Sequence, residues 1–514
     1  MNTTDPLDRF RRQAKDLRKG HEAGDARAVA RLKNFPPRRD HEPLKHADYL
    51  RTIALEQGFL TWPALKLAVE TQGLDRAQKQ QRLGRAMHFG QFWVVDQLLA
   101  EAPDLAEGNL GLACGFYDLD AVRAAIAEDA AVATRKAGFG PPLIHLCRSK
   151  MIHHVPDREA AMLAIADLLL AHGADVNAGV PAYVDSDYNL PPLYYALGHA
   201  GNVVLARWLL QNGANPNDNE SLYHATELGH RDGLKLLLEF GAEPNGTNAL
   251  LRAMDFHDHE AVELLLAHGA QADDYNDAHI AGEAPWVVPA LFHAARRMVD
   301  ARMVKLLIDA GARPEREFEG ATSYGHARVF GHQMLAQTIA AKGPVPALSA
   351  EEEMLAAAAE GRPVASYIDP ARLPAAYENL IRALIWLPGK LDHVKRLVAI
   401  GVPYDRPDSE GLTPVQIAGW EGLPEEMAYL LSLKPDLGHV NGYGGTLLGT
   451  IVHGSENNPA RGGRDYIACL RLALVEGVAL PKRTIELAGD PECAAFLADW
   501  ADAHPGQVVE GGVG

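Results

Sequence analysis

The sequence predicts an all-helical repeat protein, a solenoid of stacked helix–turn–helix units. Three observations predict this fold class. An apolar helical phrase ending in glycine returns along the chain, a second phrase with helix-start residues precedes it, and a glycine recurs 12 residues before the terminal one. A unit of this kind buries its apolar face only against a neighbouring unit, so the units are expected to stack.

The first phrase is an apolar helix that stops at a glycine. Its adjacent leucines supply a broad apolar face, and the glycine suits the left-handed conformation that commonly ends a helix. The clear copies are ADLLLAHGADVN at 166–177, ARWLLQNGANPN at 206–217, LKLLLEFGAEPN at 234–245, VELLLAHGAQAD at 262–273 and VKLLIDAGARPE at 304–315, with weaker copies at 94–103 and 394–404.

The second phrase marks the start of the preceding helix. In its best copy, at 408–418, Thr413 can cap the helix, while Pro414 stands in the first turn, where no backbone N–H is missed. Other copies are PPLIHLC at 141–147, PPLYYAL at 191–197, SLYHAT at 221–226 and TSYGHA at 322–327. The 12-residue glycine pairs are Gly201 and Gly213, Gly229 and Gly241, Gly331 and Gly343, and Gly389 and Gly401.

Together these phrases resemble the ankyrin repeat, whose period of roughly 33 residues and T-P-L-H-x-A signature they match. The resemblance covers most of residues 81–480. It implies an ankyrin-repeat solenoid that binds another protein and is not an enzyme. The terminal glycines are spaced unevenly, at intervals of 40, 28, 28, 42 and 32 residues from Gly173 onward. The 28-residue repeats leave no room for the β-hairpin finger that joins neighbouring repeats, whereas 178–190 and 274–288 are long fingers.

The pattern divides the chain into five predicted segments. They are an N-terminal helical segment at 1–80, a repeat array at 81–345, a degenerate repeat or joint at 346–375, a second array at 376–504 and a disordered tail at 505–514. Residues 58–66 read GFLTWPALK and resemble a G-F-x-[ST]-W-P-x-L-K segment found ahead of ankyrin repeats in bacterial proteins, which favours a bacterial origin. We expect Phe59 and Trp62 to cap the first repeat.

Composition narrows the setting and the partner. The 514 residues contain no apolar run near the roughly 20 residues that span a bilayer, and the N-terminus lacks a signal-peptide core. Four cysteines stand singly and are expected to be buried thiols in a reducing compartment, which favours the cytoplasm.

Net charge is -18, made up of +4 over residues 1–50 and -22 over the remainder. An acidic body repels nucleic acid, so we expect no nucleic-acid partner. We also expect a monomer that binds a protein partner and no membrane. The basic head is either a solvated helix face, which we favour, or a contact with an acidic surface, which includes the chain's own acidic body.

Aromatic residues on and near the long fingers are the predicted contact site for that partner. Two projecting fingers would flank a floor formed by the two short repeats, and tyrosine and tryptophan provide large contact area at low entropic cost. Neutral length variation in surface loops explains the fingers equally well. The candidate partner-binding residues are Tyr183, Tyr188, Tyr194, Tyr195, Glu227, Leu228, Asp255, Phe256, Tyr275, Trp286 and Trp420.

Aromatic residues also precede the recurring glycine, or the residue aligned with it, as Phe256 precedes His257 and Phe330 precedes Gly331. They either anchor a partner or pad the turn between helices. We favour padding for Phe256 and Phe330, and contact for Trp420.

No pattern typical of catalysis or metal binding is present. The His257-Asp258-His259-Glu260 run falls where other repeats have a turn, and no matching ligands stand elsewhere at metal spacing. Asn441 to Thr446 imitates a phosphate loop but stands where a finger turn belongs. We therefore predict no catalytic residues, no metal and no cofactor. The alternatives to a protein-binding scaffold are an acidic antitoxin or immunity-type protein that masks a basic partner, and an enzyme with an unrecognised active site.

Overall fold

The computed structural model describes residues 6–35, 44–184, 186–276 and 288–510. It separates into two compact units. The terminal unit combines Met1–Val69 with Glu315–Gly514, and the central unit is Glu70–Pro314. Among the described helices, none combines the length and the apolar character that a bilayer crossing needs.

Four helices open the chain, and an apolar core holds them together. They are α1 (Pro6–Glu22), α2 (Ala26–Asn34), α3 (His46–Glu56) and α4 (Trp62–Thr71). Trp62 is buried in this core with Phe10 and Tyr49, and Phe59 packs against it. The two aromatic residues that we expected to cap the first repeat therefore help to form the core of the N-terminal helices.

Paired helices build the central unit. They are α5 (Arg76–Phe89), α6 (Phe92–Glu101), α7 (Leu110–Gly115), α8 (Leu119–Glu128), α9 (Pro142–Cys147), α10 (Glu159–Ala171), α11 (Val203–Gln211), α12 (Ser221–Ala225), α13 (Asp232–Glu239), α14 (Ala249–Asp255), α15 (His259–Ala267), α16 (Ala290–Arg297) and α17 (Ala301–Asp309). A π-helical turn, Tyr194–His199, replaces an α-helix before α11, and short 3₁₀ turns cover Ala130–Ala133, Lys150–His153 and Pro156–Arg158.

The remaining helices of the terminal unit follow residue 314. They are α18 (Ser323–Val329), α19 (Gln333–Ala340), α20 (Ala350–Ala359), α21 (Leu380–Leu384), α22 (Leu391–Ala399), α23 (Pro414–Trp420), α24 (Pro424–Ser432), α25 (Leu447–Asn457), α26 (Tyr466–Val475), α27 (Lys482–Leu487) and α28 (Pro491–Ala503). Short 3₁₀ turns cover Pro370–Arg372, Ala375–Tyr377, Arg461–Gly463 and Pro505–Gln507.

Strands are few and only two residues long. In the central unit, Val180–Pro181 (β1) pairs antiparallel with Asn189–Leu190 (β2) in the first long finger. In the terminal unit, Glu317–Phe318 (β3) pairs antiparallel with Ala321–Thr322 (β4), and Leu480–Pro481 (β5) pairs parallel with Val508–Val509 (β6). Within 203–276, which contains the two 28-residue intervals, the described chain has no strand, as the spacing predicts.

The two sequence phrases form the helix boundaries that they predict. Thr413 accepts a hydrogen bond from the Gln416 N–H, and the Gln416 side chain accepts one from the Thr413 N–H, which closes a capping box with Pro414 in the first turn. In α13 the leucine triplet is buried, since Leu236, Leu237 and Leu238 face packed neighbours.

The recurring glycines set the turns of the units, with the exception of Gly343, whose φ lies outside the left-handed region. Gly201 and Gly213 have φ values of 63° and 92°, so both adopt the left-handed conformation. Tyr117 and His257 stand where other units have the first glycine, and they keep its conformation with φ values of 61° and 51°. The sequence of His257 to Glu260 is thus explained by a turn followed by a helix start, in which Asp258 caps α15.

The basic N-terminal head contacts acidic residues of the same unit. Lys15 forms ion pairs with Asp502 and with Asp499, the latter at 2.9 Å, and Arg18 pairs with Asp499. The favoured prediction of a solvated helix face is therefore wrong for Lys15 and Arg18. The other alternative, a contact with the chain's own acidic residues, describes them.

The end of the chain is more ordered than predicted. Gln507 donates two hydrogen bonds, to the carbonyl oxygens of Leu474 and Val478, and β6 pairs with β5. The prediction of disorder over 505–514 is thus wrong for 505–510, while 511–514 lie outside the described residues. The four cysteines are free and buried, as expected, and burial raises the pKa of the Cys114 thiol to about 12.

Candidate functional site

The first long finger presents two tyrosines in different surroundings. Tyr183 is 58% exposed at the finger tip. Tyr188 is half-buried, and its hydroxyl donates a 2.5 Å hydrogen bond to Glu220, a carboxylate with no exposed surface. Burial and this acidic neighbour raise the pKa of Tyr188, so its hydroxyl stays protonated as the donor.

The two tyrosines after the finger also differ in how far their side chains are exposed. Tyr194 is half-buried, and its ring lies 5.1 Å from that of His224. Tyr195 is only 4% exposed and packs edge-on against Phe139. Tyr195 therefore cannot contact a partner directly, because its ring fills the core. In the second long finger Tyr275 is half-buried, and Trp286 lies outside the described residues.

Five charged side chains form an unbroken series across the short repeats, which we call the ion-pair row. His224 lies 3.2 Å from Glu220 and 2.9 Å from Glu227. Arg252, on α14, lies 2.7 Å from Glu227 and 3.0 Å from Asp255. The row thus joins α12 to α14, and it contains Glu227 and Asp255 of the predicted floor.

The row continues beyond Asp255 toward α16. His293 Nε2 lies 2.7 Å from Asp255, and Arg297 donates a 2.6 Å hydrogen bond from Nε to the same carboxylate. Burial alone would raise the pKa of Asp255, but His293 and Arg297 outweigh it and lower that pKa. Asp255 is therefore held ionised by partners on two sides.

His224 is held as a cation by its two carboxylates. Burial alone would lower its pKa, but hydrogen bonds with Glu220 and Glu227 raise the pKa to about 9. The same pairing, with Arg252, lowers the pKa of Glu227 against the effect of burial. At pH 7 the His224 cation therefore pairs with the ionised Glu227, and the ionised Asp255 pairs with Arg252.

Exposed aromatic rings lie next to these charges. Phe256 is 50% exposed and lies under the Arg252 guanidinium, 4.9 Å from its ring centre. Phe330, at the equivalent position of another unit, is 1% exposed. The padding interpretation therefore holds for Phe330, whereas the structure leaves Phe256 accessible. Leu228, the remaining floor residue, is half-buried.

A second group of side chains in the central unit, the basic cluster, consists of His88, Arg148, Lys150 and His199. The two imidazole rings stack at 3.8 Å, and Arg148 Nε donates to His88 Nδ1 at 3.3 Å. Burial and the neighbouring cations lower the pKa of His88 to about 3 and that of His199 to about 4. Within the described residues, neither Arg148 nor Lys150 has a carboxylate within ion-pair distance.

In the terminal unit, Trp420 lines a cavity of about 730 Å³. Its ring lies 5.1 Å from that of His453, and Trp386 and Tyr443 share the wall. The segment Asn441 to Thr446, whose sequence imitates a phosphate loop, lies beside this cavity and forms the finger turn that the sequence predicts. There, Asn441 accepts hydrogen bonds from the backbone N–H groups of Tyr443 and Gly445.

Sequence reasoning missed most of the ion-pair row and the whole basic cluster. Glu220 and His224 stand in one repeat and Arg252 in the next, where a single charged residue indicates only a solvated position. The signal that was present is the histidine of SLYHAT, which fills the same place as His293 in its own repeat. Aligning the repeats on this histidine would have shown which charges share a face.

Comparisons with known proteins agree with this architecture. A family model for ankyrin repeats in three copies matches residues 208–277, and a single ankyrin-repeat model matches 188–221. No curated protein matches the chain.

Several solved structures are similar to parts of the chain. The ankyrin repeat domain of human ASB11 is 21% identical with a TM-score of 0.34, and the match covers 47% of this chain and all of that one. That of Bcl-3, a member of the IkappaB protein family, is 20% identical with a TM-score of 0.35, over 46% of this chain and 99% of that one. An ankyrin repeat domain from Acinetobacter baumannii is 22% identical with a TM-score of 0.30, and the match covers 39% of this chain and 96% of that one. Residues 188–277 are thus ankyrin repeats, and the fold class is the one that the phrases predict.

Proposed function

We propose that this protein is a non-catalytic scaffold that binds a protein partner at the ion-pair row of the central unit and the exposed aromatic rings near it. Ankyrin repeats are protein–protein interaction modules. The observation that carries the proposal is the exposed Phe256 ring beside the ion-pair row, together with the exposed Tyr183 on the finger. An accessible aromatic ring next to fixed charges is typical of an interface anchor.

The charges suggest what the partner presents. The charged groups of the ion-pair row pair with one another, and we assign the row the role of positioning Phe256. The basic cluster is different, because Arg148 and Lys150 are partly buried and lack carboxylate partners among the described residues. An acidic side chain of the partner would supply the missing counter-charge.

Affinity capture with mass spectrometry tests this proposal. The full chain and the variants Tyr183→Ala and Phe256→Ala would each be used as bait. Trp93→Ala is the matched control, because Trp93 is 48% exposed on α6, outside the proposed site. We expect one protein to be enriched with the wild-type and control baits and lost with the two variants. Equal capture by all four baits would place the interface elsewhere.

A further inference from the structure

The walls of the cavity around Trp420 combine aromatic side chains with carboxylates. Its volume of about 730 Å³ lies within the roughly 300–1,000 Å³ that small-ligand sites occupy. Three large aromatic side chains, Trp386, Trp420 and Tyr443, line it together with the carboxylates of Glu410, Glu421 and Glu456.

The charges of these walls do not cancel. Arg382, also on the wall, donates a 2.8 Å hydrogen bond to Asp408, a carboxylate with no exposed surface. Glu421 lies 3.5 Å from Arg464. These two pairs balance themselves and leave Glu410 and Glu456.

Among the residues that the structure describes, Glu410 and Glu456 accept hydrogen bonds only from neutral donors. The Tyr443 hydroxyl donates to Glu410 at 2.6 Å, and the Gly489 N–H donates to Glu456 at 2.6 Å. Within the described residues, neither carboxylate has a lysine, arginine or histidine at ion-pair distance. The cavity therefore carries an excess of negative charge beside aromatic faces.

A buried hydroxyl adds to this incomplete pairing. Thr484 lines the cavity and is 3% exposed, yet its hydroxyl has no hydrogen-bond partner among the described residues. An unpaired buried polar group costs free energy unless a ligand or solvent satisfies it.

We propose that this cavity binds a positively charged side chain, arginine or lysine, presented by a partner segment. Aromatic rings attract cations through the negative potential of their faces, and carboxylates give the direct counter-charge. The guanidinium or ammonium group would pair with Glu410 and Glu456 while its aliphatic stem lies against Trp420. This site is in the terminal unit and is separate from the proposed partner site of the central unit.

Calorimetric titration of the full-length protein tests the proposal. The probes are the pentapeptide Gly-Ala-Arg-Ala-Gly and the same peptide with citrulline, a neutral isostere of arginine, at its centre. We expect the arginine peptide to bind at least about tenfold more tightly than the citrulline peptide. The Glu410→Gln, Glu456→Gln and double variants should reduce or remove that preference.

Glu425→Gln is the matched control, because Glu425 is an exposed carboxylate of the same unit outside the cavity. It should keep the full preference, and circular dichroism would show that each variant is folded. Equal affinity for the two peptides, absence of binding by the arginine peptide, or an equal loss in the control variant would each overturn the proposal. Partner capture by the central unit is measured separately, so a failure here leaves that proposal standing.

Discussion

At the scale of single residues, backbone conformation explains why the recurring glycine is needed. Gly229 has φ of 73°, and a methyl group added there would meet no atom within 4 Å. The only obstacle to a side chain at this position is therefore the left-handed backbone. Tyr117 and His257 show that the array tolerates a left-handed non-glycine residue at individual positions, although the free-energy cost of that conformation remains.

We predict that Gly229→Ala destabilises the central unit by roughly 1–2 kcal/mol, the cost of a left-handed non-glycine residue. Gly73→Ala is the control, since Gly73 also has open space around it but an ordinary φ. That substitution should stabilise by about 0.4–1 kcal/mol, because it restricts the unfolded chain. Urea unfolding measures both changes. Equal effects from the two substitutions would show that the turn does not demand glycine.

At the scale of elements, the ion-pair row couples neighbouring repeats through charge. His224 on α12, Glu227 just after it and Arg252 on α14 hold one another in ionised form. The pKa of His224 is raised from 6.5 to about 9 in the folded protein. Its contribution to stability is therefore fully present below pH 6.5 and is lost as the pH rises through about 9.

We predict that the wild-type central unit loses stability between pH 6.5 and pH 9 and that His224→Gln removes most of this dependence. His172→Gln is the control, because His172 is exposed and bonds only to the Leu168 carbonyl. Thermal unfolding across that pH range provides the measurement. The interpretation would be wrong if the His224 variant kept the wild-type slope.

The elements also show how far the sequence leads. The capping box at Thr413 and the leucine triplet of α13 follow local rules, so each helix boundary there could be predicted. The links between repeats could not be predicted, because Glu227 and Arg252, like Asp255 and His293, come from different repeats and meet only after stacking. Of the cavity wall, the sequence singled out only Trp420, as a predicted contact residue. The carboxylate of Glu421 is on the next residue, whereas Glu410 and Glu456 lie 10 and 36 residues away along the chain.

At the scale of the whole molecule, the two ends of the chain share one unit. Lys15 and Arg18 on α1 pair with Asp499 on α28, and Glu492 accepts a hydrogen bond from the Ala47 N–H. No local pattern predicts this union, since the partners lie more than 400 residues apart in sequence. Net charge offered the only hint, through the basic head and the acidic remainder.

We predict that replacing Lys15 and Arg18 together with alanine weakens α28 by about 1–3 kcal/mol, because Asp499 is left partly buried without its hydrogen-bond donors. Hydrogen exchange would then be faster across α1, α3 and α28 but unchanged across α13. Arg11→Ala is the control, because Arg11 pairs only with the nearby Asp8. Unchanged exchange in α28 would mean that these ion pairs do not stabilise the unit.

We propose that a partner protein contacts the central unit at Phe256. Site-specific photo-crosslinking tests it most directly, with a photoreactive phenylalanine placed at position 256 and, as a control, at position 93 on α6. We expect a crosslink from position 256 to one distinct protein and none to that protein from position 93. Crosslinks to the same protein from position 93 alone, or from both positions equally, would contradict it.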